Sequence, residues 1–230
     1  MEEERVSKEF VFKTEEDDRL SFVGDFEGFY KSDNDPWGQT GTDERLREYY
    51  AFSRSKMLNT IDFLINSRVE SVDILEVGCG LGYVSSKLQT ELSGNVNVTG
   101  MDISSTAIEK AKIIFPSLEF IVGDIRSECL DIRKKYDIVL MAEVLWYVLE
   151  KLPQVFANID GLLKNSGFLV FSNGFPREQK YGKEIIDGFD GLVRYVCSNY
   201  FGKYKIVRAQ VDYSGKFLFD DGILVLMKSE

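Results

Sequence analysis

The run Glu76-Val77-Gly78-Cys79-Gly80-Leu81-Gly82 follows the apolar stretch 72–75, so a buried strand breaks into a glycine turn two residues after a carboxylate. Glycines turn at positive φ and let a ligand approach the main chain closely, and a helix beginning at 82–83 aims its N-terminus at that ligand. The pattern presents backbone to a nucleoside-like cofactor; a tight strand-to-helix turn without a ligand is the alternative. A dinucleotide fingerprint needs a third glycine at position 83, which is Tyr83, so a nicotinamide-dependent oxidoreductase is disfavoured. Asp102 follows Glu76 by 26 positions and closes the next apolar run, where a carboxylate can accept both hydroxyls of a ribose. Its competing use is as a helix cap. Ser104, Ser105 and Thr106 supply caps, and Thr106 with Glu109 can form a capping box, which leaves Asp102 for a ligand. Asp124 closes a third apolar run and can accept from an adenine amino group while Ile103 and Ile125 sandwich the ring; a solvated loop aspartate is the alternative.

These acids need strands to carry them. From residue 72 onward short apolar runs alternate with amphipathic segments, the signature of a doubly wound, mostly parallel sheet with helices on both faces. Strands are predicted at 72–77, 96–101, 118–122, 136–142 and 167–172, and helices near 82–92, 104–114, 126–133 and 150–164, with Gly167 stopping the last. A helix near 178–200 and strands at about 203–212 and 217–227 complete a seven-stranded α/β fold. The connection at Ser214-Gly215 is too short for a parallel crossover, so the last two strands pair as an antiparallel hairpin at a sheet edge. Thr42 or Asp43 can cap a helix from Glu44, whose Leu46, Tyr50, Met57, Ile61 and Leu64 share one face. Residues 1–43 are acidic and aromatic, show no sheet pattern, and suit a lid; residues 44–230 form one domain. Tyr30, Trp37, Tyr49 and Tyr50 are candidate walls of an acceptor pocket, with plain packing of the helix as the alternative.

The whole-chain properties narrow the classes. At 230 residues there is room for one full α/β domain. The formal charge of −10 and the lack of a Lys/Arg cluster disfavour nucleic acid as a partner. No apolar run approaches the roughly 20 residues of a membrane span, and the acidic start Met1-Glu2-Glu3-Glu4 is unlike a secretory signal, so a cytoplasmic protein is expected. Three scattered cysteines and no histidine make a metal site improbable. The missing histidines also leave Asp, Glu, Tyr, Lys or Cys as the only candidate general bases.

The Glu-x-Gly-x-Gly-x-Gly turn resembles motif I of the class I S-adenosylmethionine-dependent methyltransferases. Tyr136-Asp137-Ile138-Val139 with the exit Met141-Ala142-Glu143-Val144-Leu145-Trp146-Tyr147 looks like their motif IV. Over about residues 70 to 175 this resemblance implies S-adenosylmethionine as cofactor, with S-adenosylhomocysteine as product. It implies contacts from Glu76, Gly78, Cys79, Gly80, Gly82, Asp102, Ile103, Asp124, Ile125 and Ala142. The acceptor then meets the cofactor's methionine end beside Glu143, the first candidate base, with Tyr147 second and Trp146 on the acceptor side. Glu143 equally suits the cofactor's ammonium group. Asp35-Pro36-Trp37 and the aromatic-rich helix after it resemble, over few residues, the nodulation-type N-methyltransferases. The expected acceptor is a small polar molecule, a sugar or sugar-linked precursor among the candidates, methylated at oxygen or nitrogen by a monomer or homodimer. A cofactor-binding regulatory protein without turnover is the alternative on the same fold.

Overall fold

In a computed structural model describing residues 9–16, 18–41, 44–66, 70–213 and 215–230, the predicted strands assemble into one seven-stranded sheet. Its members are β3 (Val72–Val77), β4 (Val96–Asp102), β5 (Glu119–Val122), β6 (Tyr136–Ala142), β7 (Leu163–Pro176), β8 (Tyr204–Asp212) and β9 (Phe219–Lys228), in the order β5-β4-β3-β6-β7-β9-β8. The first five run parallel, and β9 inserts antiparallel between β7 and β8. The chain leaves β3 towards β4 on one side and β6 towards β7 on the other, so the switch point lies between β3 and β6, where open α/β sheets bind ligands. Leu75, Val77 and the run 138–141 are buried because helices cover both faces of the sheet.

Helices α2 (Glu44–Ile65) and α3 (Tyr83–Glu91) cover one face through Met57, Ile61, Leu64, Val84 and Leu88, against Ile74, Val98, Leu140 and Val170. Helices α5 (Leu152–Leu162) and α6 (Gly188–Asn199) cover the other through Val155, Phe156, Ile159, Leu192 and Val196, against Val139, Met141 and Phe171. Helix α4 (Ser105–Ile114) packs Ile108 and Ala111 on Phe120 and on Cys79 of the glycine turn.

Several boundaries differ from expectation. No helix forms at 126–133: Asn158 of α5 donates to the carbonyls of Ile125 and Ser127, and Gln154 to that of Ser127, so side chains supply hydrogen bonds that a helix would have made internally. Helix α5 starts at Leu152, behind two 3-10 turns and with Pro153 in its first turn. Its end at Leu162 leaves Gly167 inside β7 rather than at a helix stop. The long helix expected over 178–200 shortens to α6, because Gln179 ties up the loop before it by donating to Tyr181 O and Ile186 O and accepting from Gly188 N. The N-terminal segment stays out of the main sheet but carries a small one of its own, β1 (Phe12–Thr14) against β2 (Leu20–Phe22), followed by α1 (Phe26–Ser32). The expected caps Thr42 and Asp43, the turn residue Ser214 and the acidic start Met1–Glu4 lie outside the described residues. Among the described residues no helix is long and apolar enough to cross a membrane, and no group of three or more His, Cys, Asp or Glu is placed to hold a metal ion.

Candidate functional site

A cavity of about 750 Å³ opens at the switch point. Its floor consists of the carboxyl ends of β3, β4, β5 and β6, and its roof of α1, the following loop, the first turns of α2 and residues 216–219. Of the predicted cofactor residues, Glu76, Gly78, Asp102, Ile103, Asp124, Ile125 and Ala142 line it, and Cys79, Gly80 and Gly82 do not.

Those last three hold the floor together from behind. The amides of Gly78 and Cys79 both donate to Met101 O, at 2.7 and 3.0 Å, which pins the glycine turn to the end of β4. The Cys79 side chain is fully buried against α4. Gly78 has φ 72°, and a Cβ there would run into Val144; Gly80 has φ 55°, and a Cβ would strike the Tyr30 hydroxyl and the Gln39 amide. The second clash shows how closely the roof sits on the turn. Gln39 Oε1 accepts the Leu81 amide at 2.9 Å, supplying a partner for a donor at the helix entrance.

Two acids at this end are buried and protonate easily. Glu76 accepts from Ser85 Oγ, and burial pushes its carboxyl up to about 8. Asp102 accepts from Gly80 N at 2.8 Å with one oxygen and from Ser104 N at 2.9 Å with the other, while burial raises it to about 6. Asp102 therefore braces two backbone amides, and each oxygen keeps a further lone pair. The helix cap is Ser104, which accepts from Ala107 N. No Thr106–Glu109 capping box forms, because Thr106 donates through both its hydroxyl and its amide to Glu27 of α1. Ser104 and Ser105 add hydroxyl donors, and these bonds, the one from Thr106 foremost, pull Glu27 down to about 2. Asp124 is engaged as well: the Arg126 guanidinium meets it in a fork at 2.9 and 3.0 Å.

At the other end Glu143 leaves β6 with φ 58°, a left-handed conformation that a non-glycine residue adopts at a cost of about 1 kcal/mol or more. One carboxylate oxygen accepts from Tyr49 Oη at 2.6 Å and the other from Gly174 N at 3.0 Å. Burial raises this carboxyl to about 7. Tyr147 also lines the cavity, its ring among Phe12, Phe22, Phe26 and Trp37. Burial, then the charge of Glu143, pushes its phenol far above the usual range, which weakens it as a proton acceptor. Trp146 commits its indole N–H to Gly174 O and stands edge-on to Phe175. Tyr50 donates to Trp37 O at 2.9 Å, and Trp37 stands edge-on to Phe29. Tyr30 is buried with Leu81 and Ala107, so it touches the glycine turn rather than the neighbourhood of Glu143.

Sequence reasoning missed Arg54, Gln39, Glu27 and the segment 216–219. Arg54 lies one helical turn after Tyr50, its guanidinium 4.4 Å from that ring's centre. It makes no hydrogen bond or ion pair among the described residues, and burial lowers its pKa. The i, i+4 spacing on a helix already assigned an aromatic face was the available signal. Gln39, Glu27 and Lys216 through Phe219 carried none, since their partners lie far away in sequence.

A methyltransferase domain model matches residues 74–167, the stretch from β3 into β7 that builds the floor. Malonyl-[acyl-carrier protein] O-methyltransferase 2 of Ilyobacter polytropus is 32% identical over 175 residues, 70% of this chain and 65% of that protein. Nodulation protein S of Azorhizobium caulinodans is 31% identical over 107 residues, 46% of this chain and 49% of that one. Among solved structures, the N-methyltransferase NodS from Bradyrhizobium japonicum WM9 in complex with S-adenosylhomocysteine superposes with a TM-score of 0.62 at 18% identity, over 86% of this chain and 94% of that one. The chain belongs to the class I S-adenosylmethionine-dependent methyltransferases. The match to the domain model takes in the glycine turn and the ends of β3 to β6 described above. The chain spans 65%, 54% and 43% of the length of three curated relatives, all malonyl-[acyl-carrier protein] O-methyltransferases.

Proposed function

We propose that this protein transfers a methyl group from S-adenosylmethionine to an oxygen or nitrogen of a small polar acceptor held in the cavity. The observation that carries the reading is the continuity of that cavity, which runs from Gly78, Asp102 and Asp124 to Glu143 and on to the aromatic walls beyond it. The cofactor supplies an activated methyl group on a sulfonium whose leaving group is a neutral thioether.

The residues present suit such a ligand. Asp102 has lone pairs left for two ribose hydroxyls, and its position is set by two backbone amides. Ile103 and Ile125 line the cavity together with Asp124 and give it apolar surface, although Arg126 already occupies much of that carboxylate. Arg54 is the cation for the cofactor's carboxylate, being the cavity-lining base without an acidic partner among the described residues. Glu143 takes the proton that the acceptor loses, and holding the cofactor's ammonium group remains its competing role. Tyr147, Tyr50, Trp37 and Trp146 shape the acceptor space, with Tyr30 closer to the cofactor. Residues 9–41 act as the lid of domain 44–230, and methyl transfer gains from the geometry that such a cover enforces, up to roughly 7–11 kcal/mol in well-oriented cases.

A sugar hydroxyl is one acceptor that Glu143 could serve; we assign no nucleic-acid or membrane partner and expect a monomer or homodimer. Isothermal titration with S-adenosylhomocysteine and with a nicotinamide dinucleotide tests the proposal. Binding of the first alone supports it, and binding of neither overturns it. A protein that binds S-adenosylhomocysteine but turns over no acceptor from an extract supplied with S-adenosylmethionine would be the regulatory alternative.

A further inference from the structure

We propose that the acceptor is an amine borne on an apolar or aromatic group, entering as an ammonium ion between the Glu143 carboxylate and the rings of Tyr49, Tyr50, Trp146, Tyr147 and Phe219. This inference rests on the methyltransferase reading and specifies its substrate class.

Four observations bear on it. First, the charges lining the cavity are unequal once their pairs are set aside. Arg126 is taken by Asp124, and Lys216 reaches Glu48 at 2.9 Å, which leaves Arg54 with Asp102 and Glu143, since Glu76 is raised to about 8 and is largely neutral near pH 7. With Arg54 assigned to the cofactor's carboxylate and Glu143 to the acceptor rather than to the cofactor's ammonium group, an anionic acceptor would meet an uncompensated Glu143, whereas a cation would be matched. Second, the Glu143 carboxylate is aimed. Tyr49 Oη and Gly174 N hold its two oxygens from the wall side, and each oxygen retains acceptor capacity for an ammonium donor. Third, Glu143 keeps this position in a left-handed conformation that Gly or Asn would hold more easily, so the wall carries a carboxylate where backbone preference does not favour one. Fourth, the rings that line the cavity beside it bring aromatic faces, which attract a cation, and apolar surface that covers a hydrophobic body. Tyr49 stands against Phe217 and Phe219 at 5.6 and 5.7 Å between centroids, and the mouth beyond is lined by Leu218.

The acid–base chemistry agrees. A carboxyl raised to about 7 by burial takes a proton from an ammonium group more readily than an ordinary glutamate does. Glu143 accepts one proton from the ammonium ion, and the freed nitrogen lone pair forms the N–C bond. The C–S bonding pair stays on sulfur, giving a methylammonium product, S-adenosylhomocysteine and one proton released to solvent.

The test measures binding, so it does not depend on knowing the natural substrate. The full chain saturated with S-adenosylhomocysteine is titrated with phenethylamine, phenethyl alcohol and hydrocinnamate, three probes of one shape and different charge. The amine should bind at least about tenfold more tightly than either of the others, and E143Q should abolish that preference; an amine preference that survives in a folded E143Q overturns the role given to Glu143. The wild-type comparison stands whether or not E143Q folds. Equal binding of the three, preference for hydrocinnamate, or binding of none overturns the amine assignment. Failure of S-adenosylhomocysteine itself to bind overturns the methyltransferase reading, and the amine assignment with it, so the two failures are told apart.

Discussion

The floor and the roof of the cavity are built on different principles. On the floor, polar groups are held by the main chain: Met101 O receives two turn amides, Asp102 receives two more, and Glu143 takes Gly174 N. These bonds belong to the sheet and persist as long as it does. The roof is fastened by side chains and rings. Glu27 takes four donors at the start of α4, Gln39 takes Leu81 N, and Lys110 donates to the carbonyls of Tyr30 and Asp33 at 2.6 and 2.8 Å. Aromatic contacts from Phe12, Phe22, Phe26 and Trp37 onto Tyr147 make up the rest. A floor of this kind is organised by the sheet itself, whereas the bonds and ring contacts of the roof can be lost without disturbing the sheet.

The comparison can be broken or sharpened at graded cost. Asp102→Ala removes both the amide brace and the proposed ribose acceptor, so affinity for S-adenosylhomocysteine by calorimetry should fall about a hundredfold. Glu143→Gln should lower turnover by roughly ten- to a hundredfold with S-adenosylhomocysteine affinity unchanged. The wild-type rate should rise as pH passes through about 7, where Glu143 becomes a carboxylate, and that rise should vanish in the variant. A matching loss of cofactor affinity would instead assign Glu143 to the cofactor's ammonium group. Arg54→Met should weaken S-adenosylhomocysteine about tenfold through loss of a charge-assisted contact. On the roof, Glu27→Gln should weaken binding only a few-fold, because a neutral amide keeps some of the bonds, and should speed hydrogen exchange across 26–33. If Glu27→Gln costs as much as Asp102→Ala, the distinction between floor and roof is wrong.

The smallest effect is on thermal stability of the ligand-free protein. Glu76, Glu143 and Asp102 are raised to about 8, 7 and 6, so the folded state binds more protons than the unfolded chain, whose carboxyls titrate near 4. Stability from these groups is complete below the unfolded values and is lost as pH rises through the folded ones. Glu27 has the opposite sign, but its contribution is already complete above the unfolded value. The Tm followed by circular dichroism should therefore decline by a few degrees from about pH 5 to pH 8. A rise over that window would contradict the burial assigned to the three floor acids.

The same division governed what was legible beforehand. The floor could be located because strand periodicity, the glycines and the acids at strand ends are local signals, and the strands from 72 to 142 lie within a residue of expectation. Even there the loop at 126–133 was misread: Leu130 and Ile132 pack against the core from a segment stabilised by Asn158 and Gln154, which periodicity cannot register. Asp102 was expected to stand free and instead braces two amides, since a backbone donor leaves no trace in side-chain spacing. The roof was legible only as aromatic content. Tyr49 and Tyr50 are both candidate walls by sequence, but helical spacing puts Tyr50 on the apolar face whereas Tyr49 is the buried one that reaches Glu143, a difference of one position that rotates a side chain by about 100° around a helix.

Glu143 sets stability against function at a single codon. A library of variants selected only for survival of heating would gain by exchanging this residue for glycine or asparagine, which relieve the left-handed backbone and remove a buried acid together. On the proposed role of Glu143 such winners would fold better and turn over more slowly. A glutamate at this position therefore carries two costs, a left-handed backbone and a buried carboxyl, that the proposed proton transfer would offset.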